Sequence, residues 1–181
     1  DRAAIMLALE AHRRGFNPAA VHRVRLTLDK RGRIEITAAP LAATAVPRQP
    51  QSVLVSPRRT RAGDLLLRHK TTARALYNAE LARAQRAGCF DALFANERGE
   101  VTEGARSNVF VKLDGHWHTP PLSCGLLPGV MRAERLADPA FGATERIIAL
   151  GELNRAQALI LTNSVRGSVP ARIIEDTGDT P

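Results

Sequence analysis

The spacing of hydrophobic positions changes along the chain and predicts both helices and strands. Residues 2–14 repeat apolar side chains at helical spacing and end at Gly15, which predicts an amphipathic helix. Residues 21–29 alternate apolar and polar side chains as a strand does, and a turn at Arg31-Gly32 leads into a second strand. The first part of the chain is therefore predicted to be one helix followed by two strands.

Between Pro40 and Pro57 this pattern weakens, because four prolines interrupt it and no helical period remains. We predict a linker here, with a short strand at residues 52–55. The linker gives the domain boundary, with residues 1–50 on one side and a larger domain of residues 51–181 on the other.

The larger domain has a denser pattern. A helix is predicted over residues 71–87, with Thr71 or Thr72 as its N-cap and Gly88 just past its end. A second helix is predicted to open with Pro128 in its first turn. Strands are predicted at residues 90–95, 107–113, 145–150 and 157–162, with a hairpin turn at Asp114-Gly115. The predicted fold class is therefore α/β or α+β, with many short strands.

Composition narrows the class of protein. With 181 residues, of which 44% are hydrophobic and 24% charged, the chain can fill a globular core. No apolar run approaches the ~20 residues that cross a bilayer. The net charge of +8 suits small anionic ligands, and the sequence has no basic-aromatic motif of nucleic-acid binding. Cys89 and Cys124 are too few for a disulfide framework. We expect a cytoplasmic protein that binds neither nucleic acid nor membrane.

One lysine is unusual in the run LLLRHKTTARALYN. Lys70 follows Arg68 and His69 at the predicted start of a helix, where a cation is unfavourable because that helix end is itself positive. Like charges nearby favour the neutral amine, and a neutral lysine is a nucleophile that can bond to a carbonyl carbon. The alternative is a solvated lysine at a frayed helix end, and the residue by itself leaves both open.

Glu103 lies in the run VTEGARSNVF, before a glycine and between two strand-like segments. A carboxylate at a strand end can hold a heterocyclic nitrogen protonated, as a pyridoxal cofactor requires if it is to take up electrons. An ordinary turn glutamate is the alternative.

Two further runs have the composition of anion-binding sites. In LLPGVMR the amides of Gly129 and Val130 lie at a helix N-terminus, which favours a phosphate. In LTNSVRG an apolar strand ends in three short hydrogen-bonding side chains, Thr162, Asn163 and Ser164. A helix cap and a strand-end turn are the alternatives.

His116 and His118 alternate onto one face of a strand, but the sequence offers no evident third ligand. We assign no metal site.

Taken in order, HKTTARALYN, VTEGARSNVF, LLPGVMR and TNSVRGSVPA resemble the motifs of the fold-type IV pyridoxal-phosphate enzymes. That family comprises branched-chain and D-amino-acid aminotransferases and aminodeoxychorismate lyase. The HKTT run together with Arg74 and Tyr77, and especially TNSVRG, are most similar to the lyase, including the lyase part of bifunctional synthase/lyase proteins. The resemblance implies that residues 1–50 are the C-terminal part of a small α/β domain and that residues 51–181 are the complete pseudo-barrel domain.

The resemblance also implies catalytic roles. Lys70 would bond to the aldehyde of pyridoxal phosphate and move protons, and Glu103 would pair with the pyridine nitrogen. Asn108 would support Glu103. Arg25 would bind a substrate carboxylate.

For the cofactor phosphate, the resemblance implies the amides of Gly129 and Val130 together with Ser164 and Asn163. Family members also carry an upstream arginine that clamps the phosphate, and residues 1–50 contain no match to its motif. We therefore expect an incomplete phosphate site in this chain.

The implied activity is the release of pyruvate and 4-aminobenzoate, a folate precursor, from the small anionic substrate aminodeoxychorismate. A branched-chain or D-amino-acid aminotransferase is one alternative, and an inactive truncated fragment is another. The resemblance further implies a homodimer, and either fusion to an aminodeoxychorismate synthase or work alongside one.

Overall fold

The fold is described from a computed structural model, which covers residues 2–41 and 49–174. The chain divides into two compact units, residues 1–45 and residues 46–181. Among the described residues, no helix is long and apolar enough to cross a membrane.

The first unit has the predicted order of one helix and two strands. Helix α1 is Arg2–Arg13, and strands β1 (His22–Leu28) and β2 (Ile34–Pro40) pair antiparallel. The turn between the strands is held by Asp29, whose Oδ1 accepts the amide protons of Arg31 and Arg33 at 2.8 Å each.

The second unit is built around one eight-stranded sheet, in the order β5-β4-β3-β10-β9-β6-β7-β8. Its strands are β3 (Gln51–Thr60), β4 (Asp91–Asn96), β5 (Val101–Gly104), β6 (Asn108–Leu113), β7 (His116–Thr119), β8 (Thr144–Glu145), β9 (Ala158–Asn163) and β10 (Gly167–Ile174). Its helices are α2 (Ala75–Arg86) and α3 (Val130–Ala137). Strand β3 pairs parallel with both β4 and β10, and β7 pairs parallel with β8, while the other neighbours are antiparallel. The mixed α/β class is confirmed.

Both faces of the central sheet are buried, so its strands are more continuously apolar than a half-exposed strand would be. All six residues of β4 are buried. Because side chains alternate across a strand, Leu93 packs in one hydrophobic cluster, whereas Phe94 packs in a second one with Tyr77 from α2. This second cluster fixes α2 against the strands that carry the site described in the next subsection.

The predicted helix starts were too early. Helix α2 begins at Ala75 rather than at residue 71, and its N-cap is Arg74, not Thr71 or Thr72. The amide of Arg74 donates to the carbonyl of Thr72 at 2.9 Å, a tight turn that keeps residues 71–74 out of the helix. Pro128 likewise precedes α3 instead of lying in its first turn.

The predicted strands were wrong in three places. Strand β3 extends well beyond residues 52–55 because it is paired on both sides, and a bulge between Val55 and Arg59 accommodates the proline there. Strand β5 was missed, since its buried residues Thr102 and Glu103 are polar. The predicted strand at residues 145–150 is reduced to Thr144–Glu145 at the sheet edge, and a 3₁₀ helix begins at residue 150.

Gly125 offers a test of how the chain enters the loop before α3. It has φ of +82°, and a Cβ there would lie 2.7 Å from the Cα of Ala62. Gly115, in the β6–β7 hairpin, has the same φ but open space around it. We expect Gly115→Ala to cost about 1 kcal/mol of unfolding free energy from backbone strain alone, and Gly125→Ala to cost clearly more. Chemical denaturation of both variants measures the difference, and equal losses would contradict the close approach at Ala62.

Candidate active site

A buried carboxylate, Glu103, joins three separate parts of the second unit. It lies near the end of β5 and is 7% exposed. The hydroxyl of Tyr77, from α2, donates to its Oε1 at 3.0 Å, and the amide of Leu127, from the loop before α3, donates to its Oε2 at 3.1 Å. Both carboxylate oxygens are therefore held in place by donors from other elements.

Burial raises the pKa of Glu103 from 4.5 to about 7, because the charged form loses its hydration. The amide of Leu127 and the hydroxyl of Tyr77 act against this by hydrogen bonding to the anion, and the charges of Arg74 and Lys70 also lower the pKa. A carboxylate balanced in this way can accept or share a proton near neutral pH.

Arg74 and Tyr77 form a support for Glu103 that the sequence analysis did not assign to the site. The guanidinium of Arg74 donates to the carbonyl of Ala105 and lies 5.0 Å from the centroid of the Tyr77 ring. Burial, followed by the negative charge of Glu103, raises the pKa of the Tyr77 hydroxyl, so this hydroxyl remains a donor. The sequence signal for them was their place in the lyase-like run HKTTARALY, although no role followed from it.

Glu103 and Tyr77 line a cavity of about 270 Å³. Cationic and polar side chains from the end of β3 and the segment before α2 also line it, including Arg59, Arg61 and His69. Leucine side chains complete the wall. A cavity with a buried acid, several cations and apolar walls is typical of a site for a small polar ligand.

Lys70 lies in the segment that borders this cavity. Its neighbours His69 and Thr71 both line the cavity, while the Lys70 side chain itself is exposed. Its positive charge acts on Glu103, whose pKa it lowers. The expectation that a helix N-terminus acts directly on Lys70 is wrong, because α2 begins five residues later, at Ala75.

Asn108 fastens the loop that contributes Leu127. Its side chain is 5% exposed, and its Nδ2 donates to the carbonyl of Leu127 at 2.9 Å. A Cβ added at Gly129 would lie only 2.1 Å from the Oδ1 of Asn108, so glycine is the residue that fits there. Asn108 thus supports Glu103 indirectly, since the same loop residue donates its amide to the Glu103 carboxylate.

The predicted phosphate-binding groups are only partly available. The amide of Gly129 donates to the carbonyl of Leu127 at 2.8 Å and is therefore engaged. Val130 is the first residue of α3, and the first amides of a helix have no acceptor within it. The Val130 amide and the two that follow it are better candidates for binding an anion than the amide of Gly129.

The turn after β9 uses Asn163 for its own structure. Its Oδ1 accepts the amide protons of Val165 at 3.0 Å and Arg166 at 2.8 Å, and Ser164 is exposed. Thr162 lies opposite Asn108 in the register of the sheet. Its hydroxyl is buried and has no hydrogen-bond partner among the described residues. A buried hydroxyl of this kind is unfavourable unless something binds to it.

Arg25 lies on β1 in the first unit and is exposed. Its role toward a substrate carboxylate stays a prediction. In the part of the chain that the structure describes, no group of three or more His, Cys, Asp or Glu residues could hold a metal ion.

Known proteins similar to this chain identify its family, and they include both a lyase and aminotransferases. The family described as amino-transferase class IV matches residues 2–174, and this family uses pyridoxal phosphate. A candidate aminodeoxychorismate lyase of Schizosaccharomyces pombe is 28% identical over 85% of this chain and 68% of its own length. A candidate branched-chain-amino-acid aminotransferase of Thermotoga maritima is 34% identical over 53% of this chain, and the match spans 36% of that relative.

Solved structures share the fold. A candidate amino-acid aminotransferase from Mesorhizobium loti superposes with a TM-score of 0.86 at 36% identity, covering 96% of this chain and 82% of that one. The pyridoxal-phosphate form of a branched-chain amino acid aminotransferase from Thermobaculum terrenum superposes with a TM-score of 0.69 at 25% identity, covering 77% of this chain and 48% of that one.

The raised pKa of Glu103 predicts a specific dependence of stability on pH. The folded chain keeps a proton on Glu103 between about pH 4.5 and 7 that the unfolded chain releases, so stability falls as pH rises through this range. In the cofactor-free protein, the unfolding free energy of Glu103→Gln should therefore decrease by on the order of 3 kcal/mol less than that of the wild type over this pH range. Urea denaturation at pH 4.5 and pH 7.5 tests this, and an unchanged slope in the variant would exclude the assigned pKa.

Proposed function

This chain belongs to the class IV aminotransferase family, and we propose that it binds pyridoxal phosphate and acts as an aminodeoxychorismate lyase. The observation that carries the proposal is the buried Glu103 carboxylate, which lines the same cavity as the residues on either side of Lys70. When bound, the cofactor supplies an aldehyde for the substrate amine and a ring that takes up negative charge from the reacting carbon.

Residues of the second unit, some of them outside the lining of the cavity, fit this cofactor. The pyridine nitrogen needs a fixed anionic partner away from water, and Glu103 provides one whose two oxygens are oriented by Tyr77 and Leu127. The unpartnered hydroxyl of Thr162 and the first amides of α3, from Val130 onward, are groups that could bind a phosphate. We propose that the amides from Val130 onward would hold the phosphate, and that the exposed hydroxyl of Ser164 would contribute as well.

Each residue then has a stated task. Lys70 would hold the cofactor through Nζ, and its amine would accept the proton from the amine-bearing carbon of the substrate. Glu103 would keep the proton on the ring nitrogen, and Tyr77 fixes the Glu103 carboxylate by its hydroxyl donor. Asn108 keeps the Leu127 loop in place. Loss of the enolpyruvyl group makes the substrate ring aromatic, so the protein mainly has to position groups and transfer protons.

The choice of the lyase over an aminotransferase is supported by the motif HKTT, by TNSVRG and by the relative from S. pombe, which matches 85% of this chain. The second candidate is an amino-acid aminotransferase, which the solved structure from M. loti favours through its 36% identity. The two activities differ in a simple way. A lyase needs no keto-acid acceptor, whereas an aminotransferase does.

Release of pyruvate tests the choice directly. Protein loaded with pyridoxal phosphate should release pyruvate from aminodeoxychorismate without any keto-acid acceptor. The released pyruvate is measured by its enzymatic reduction, which is coupled to the oxidation of NADH. The same preparation should give no product from leucine or D-alanine with 2-oxoglutarate. Turnover of those amino acids without pyruvate release from aminodeoxychorismate would assign the chain to the aminotransferases.

Lys70 is predicted to be the residue that bonds to the cofactor. The chain has three lysines, Lys30, Lys70 and Lys112, which makes the assignment simple. Borohydride reduction of the loaded protein should attach the cofactor mass to the peptide containing Lys70 alone. Lys70→Ala should abolish both this adduct and the absorbance of the bound cofactor, whereas the control Lys112→Ala should keep both. An adduct on another lysine would refute the assignment.

A further inference from the structure

The proposed substrate carries its carboxylates at other positions than an α-amino acid does. The inference drawn from this difference rests on the proposed function. Its two products, pyruvate and 4-aminobenzoate, each keep one carboxylate, so the substrate carries two. Neither is attached to the amine-bearing carbon, and the ring carboxylate lies across the ring from it. An α-amino acid instead has its carboxylate on the amine-bearing carbon itself. An enzyme for the former substrate therefore needs a cationic group at a distance from the reacting carbon.

Two arginines at the end of β3 are placed to supply such a group. Arg59 is the next-to-last residue of β3 and Arg61 follows the last, and both line the cavity that Glu103 also lines. Among the described residues, neither guanidinium forms an ion pair with a carboxylate. One nitrogen of Arg59 donates to the carbonyl of Ser56 at 2.9 Å, which orients the guanidinium and leaves further donors free for a ligand.

The residue between the two arginines does not share their position. Thr60 is 4% exposed and its Oγ1 is buried without a hydrogen-bond partner among the described residues, whereas Arg59 and Arg61 are exposed. Arg59 and Thr60 are in regular register with β4, and successive side chains of a strand point to opposite faces. The two arginines therefore act without the Thr60 hydroxyl.

Neither acid that lines the cavity forms an ion pair with these arginines in the part of the chain that the structure describes. Asp64 lines the cavity as well, but its Oδ1 accepts the amide proton of Leu66 at 2.9 Å and caps a 3₁₀ turn. Glu103 is bound to Tyr77 and Leu127. The β3 end of the cavity thus presents two arginines that no carboxylate of the described residues pairs with.

We propose that Arg59 and Arg61 bind the ring carboxylate of the substrate. The cavity is then a site for cyclic dicarboxylates, and it favours them over amino acids with apolar side chains, which offer the two exposed guanidinium groups no anionic partner.

The test compares a carboxylate with its uncharged isostere. The binding of 4-aminobenzoate and 4-aminobenzamide to the cofactor-loaded protein is measured by titration calorimetry. The wild-type chain should prefer the carboxylate by about tenfold or more, as charge-assisted hydrogen bonds require. Arg61→Gln and Arg59→Gln should each reduce this preference by about tenfold, while Arg61→Lys should keep part of it.

Arg58 provides the matched control, because it is an exposed arginine of the same strand. Its change to glutamine removes the same charge as the other two substitutions. Arg58→Gln should leave the preference unchanged. An equal loss of the preference in all three glutamine variants would show general attraction by net charge and would refute the proposed carboxylate site. The site would also be refuted if no variant lost the preference, or if the wild-type chain showed none. Should Arg59→Gln unfold, judged by thermal melting, Arg61→Gln decides alone.

Pyruvate release on the same preparations separates this inference from the proposed function. If the protein releases pyruvate and Arg61→Gln keeps the preference for the carboxylate, the carboxylate site is refuted while the proposed lyase activity stands. A preference that depends on Arg61 without pyruvate release would refute the lyase and leave a carboxylate site.

Discussion

The buried carboxylate of Glu103 is the constraint on which the arrangement of the site depends. A charge with 7% exposure is tolerated only if its oxygens are paired, and here the pairing comes from α2 and from the loop before α3. Each donor arrives from a distant part of the sequence, so the carboxylate fixes the relative positions of these elements and of β5. The same carboxylate lines the cavity, which means that the feature holding the site together also gives it its chemistry.

The loop before α3 has two tasks for the same reason. Its Leu127 amide binds Glu103, and its Leu127 carbonyl accepts the side-chain proton of Asn108. The Oδ1 of Asn108 also fills the space that a side chain at Gly129, the N-cap of α3, would need. Because the first amides of a helix carry a partial positive charge, the position of this helix start decides where an anion such as a phosphate is stabilised. The polar contact at Asn108 thus connects the acidic end of the site with its anion-binding turn.

Charge in the cavity is arranged unevenly, with a hydrogen-bonded acid in one region and arginines at the end of β3. A pyridine nitrogen suits the former, and a carboxylate suits the latter. A family fold alone does not select a substrate, since the same framework serves aminotransferases and lyases. In this chain the difference between those activities is proposed to lie in which arginines face the ligand, a property of a few side chains at strand ends and not of the framework.

The sequence by itself determined the mixed α/β class, the helix-strand-strand order of the first unit, the β6–β7 hairpin and the family motifs, because these depend on local spacing and turn residues. It also identified Glu103 and Lys70 as candidates. Only the tertiary structure decided that α2 begins at Ala75, that β5 exists, and that Arg74 and Tyr77 support Glu103. These features depend on long-range pairing and on the desolvation of a charge, and neither leaves a periodic pattern in the chain.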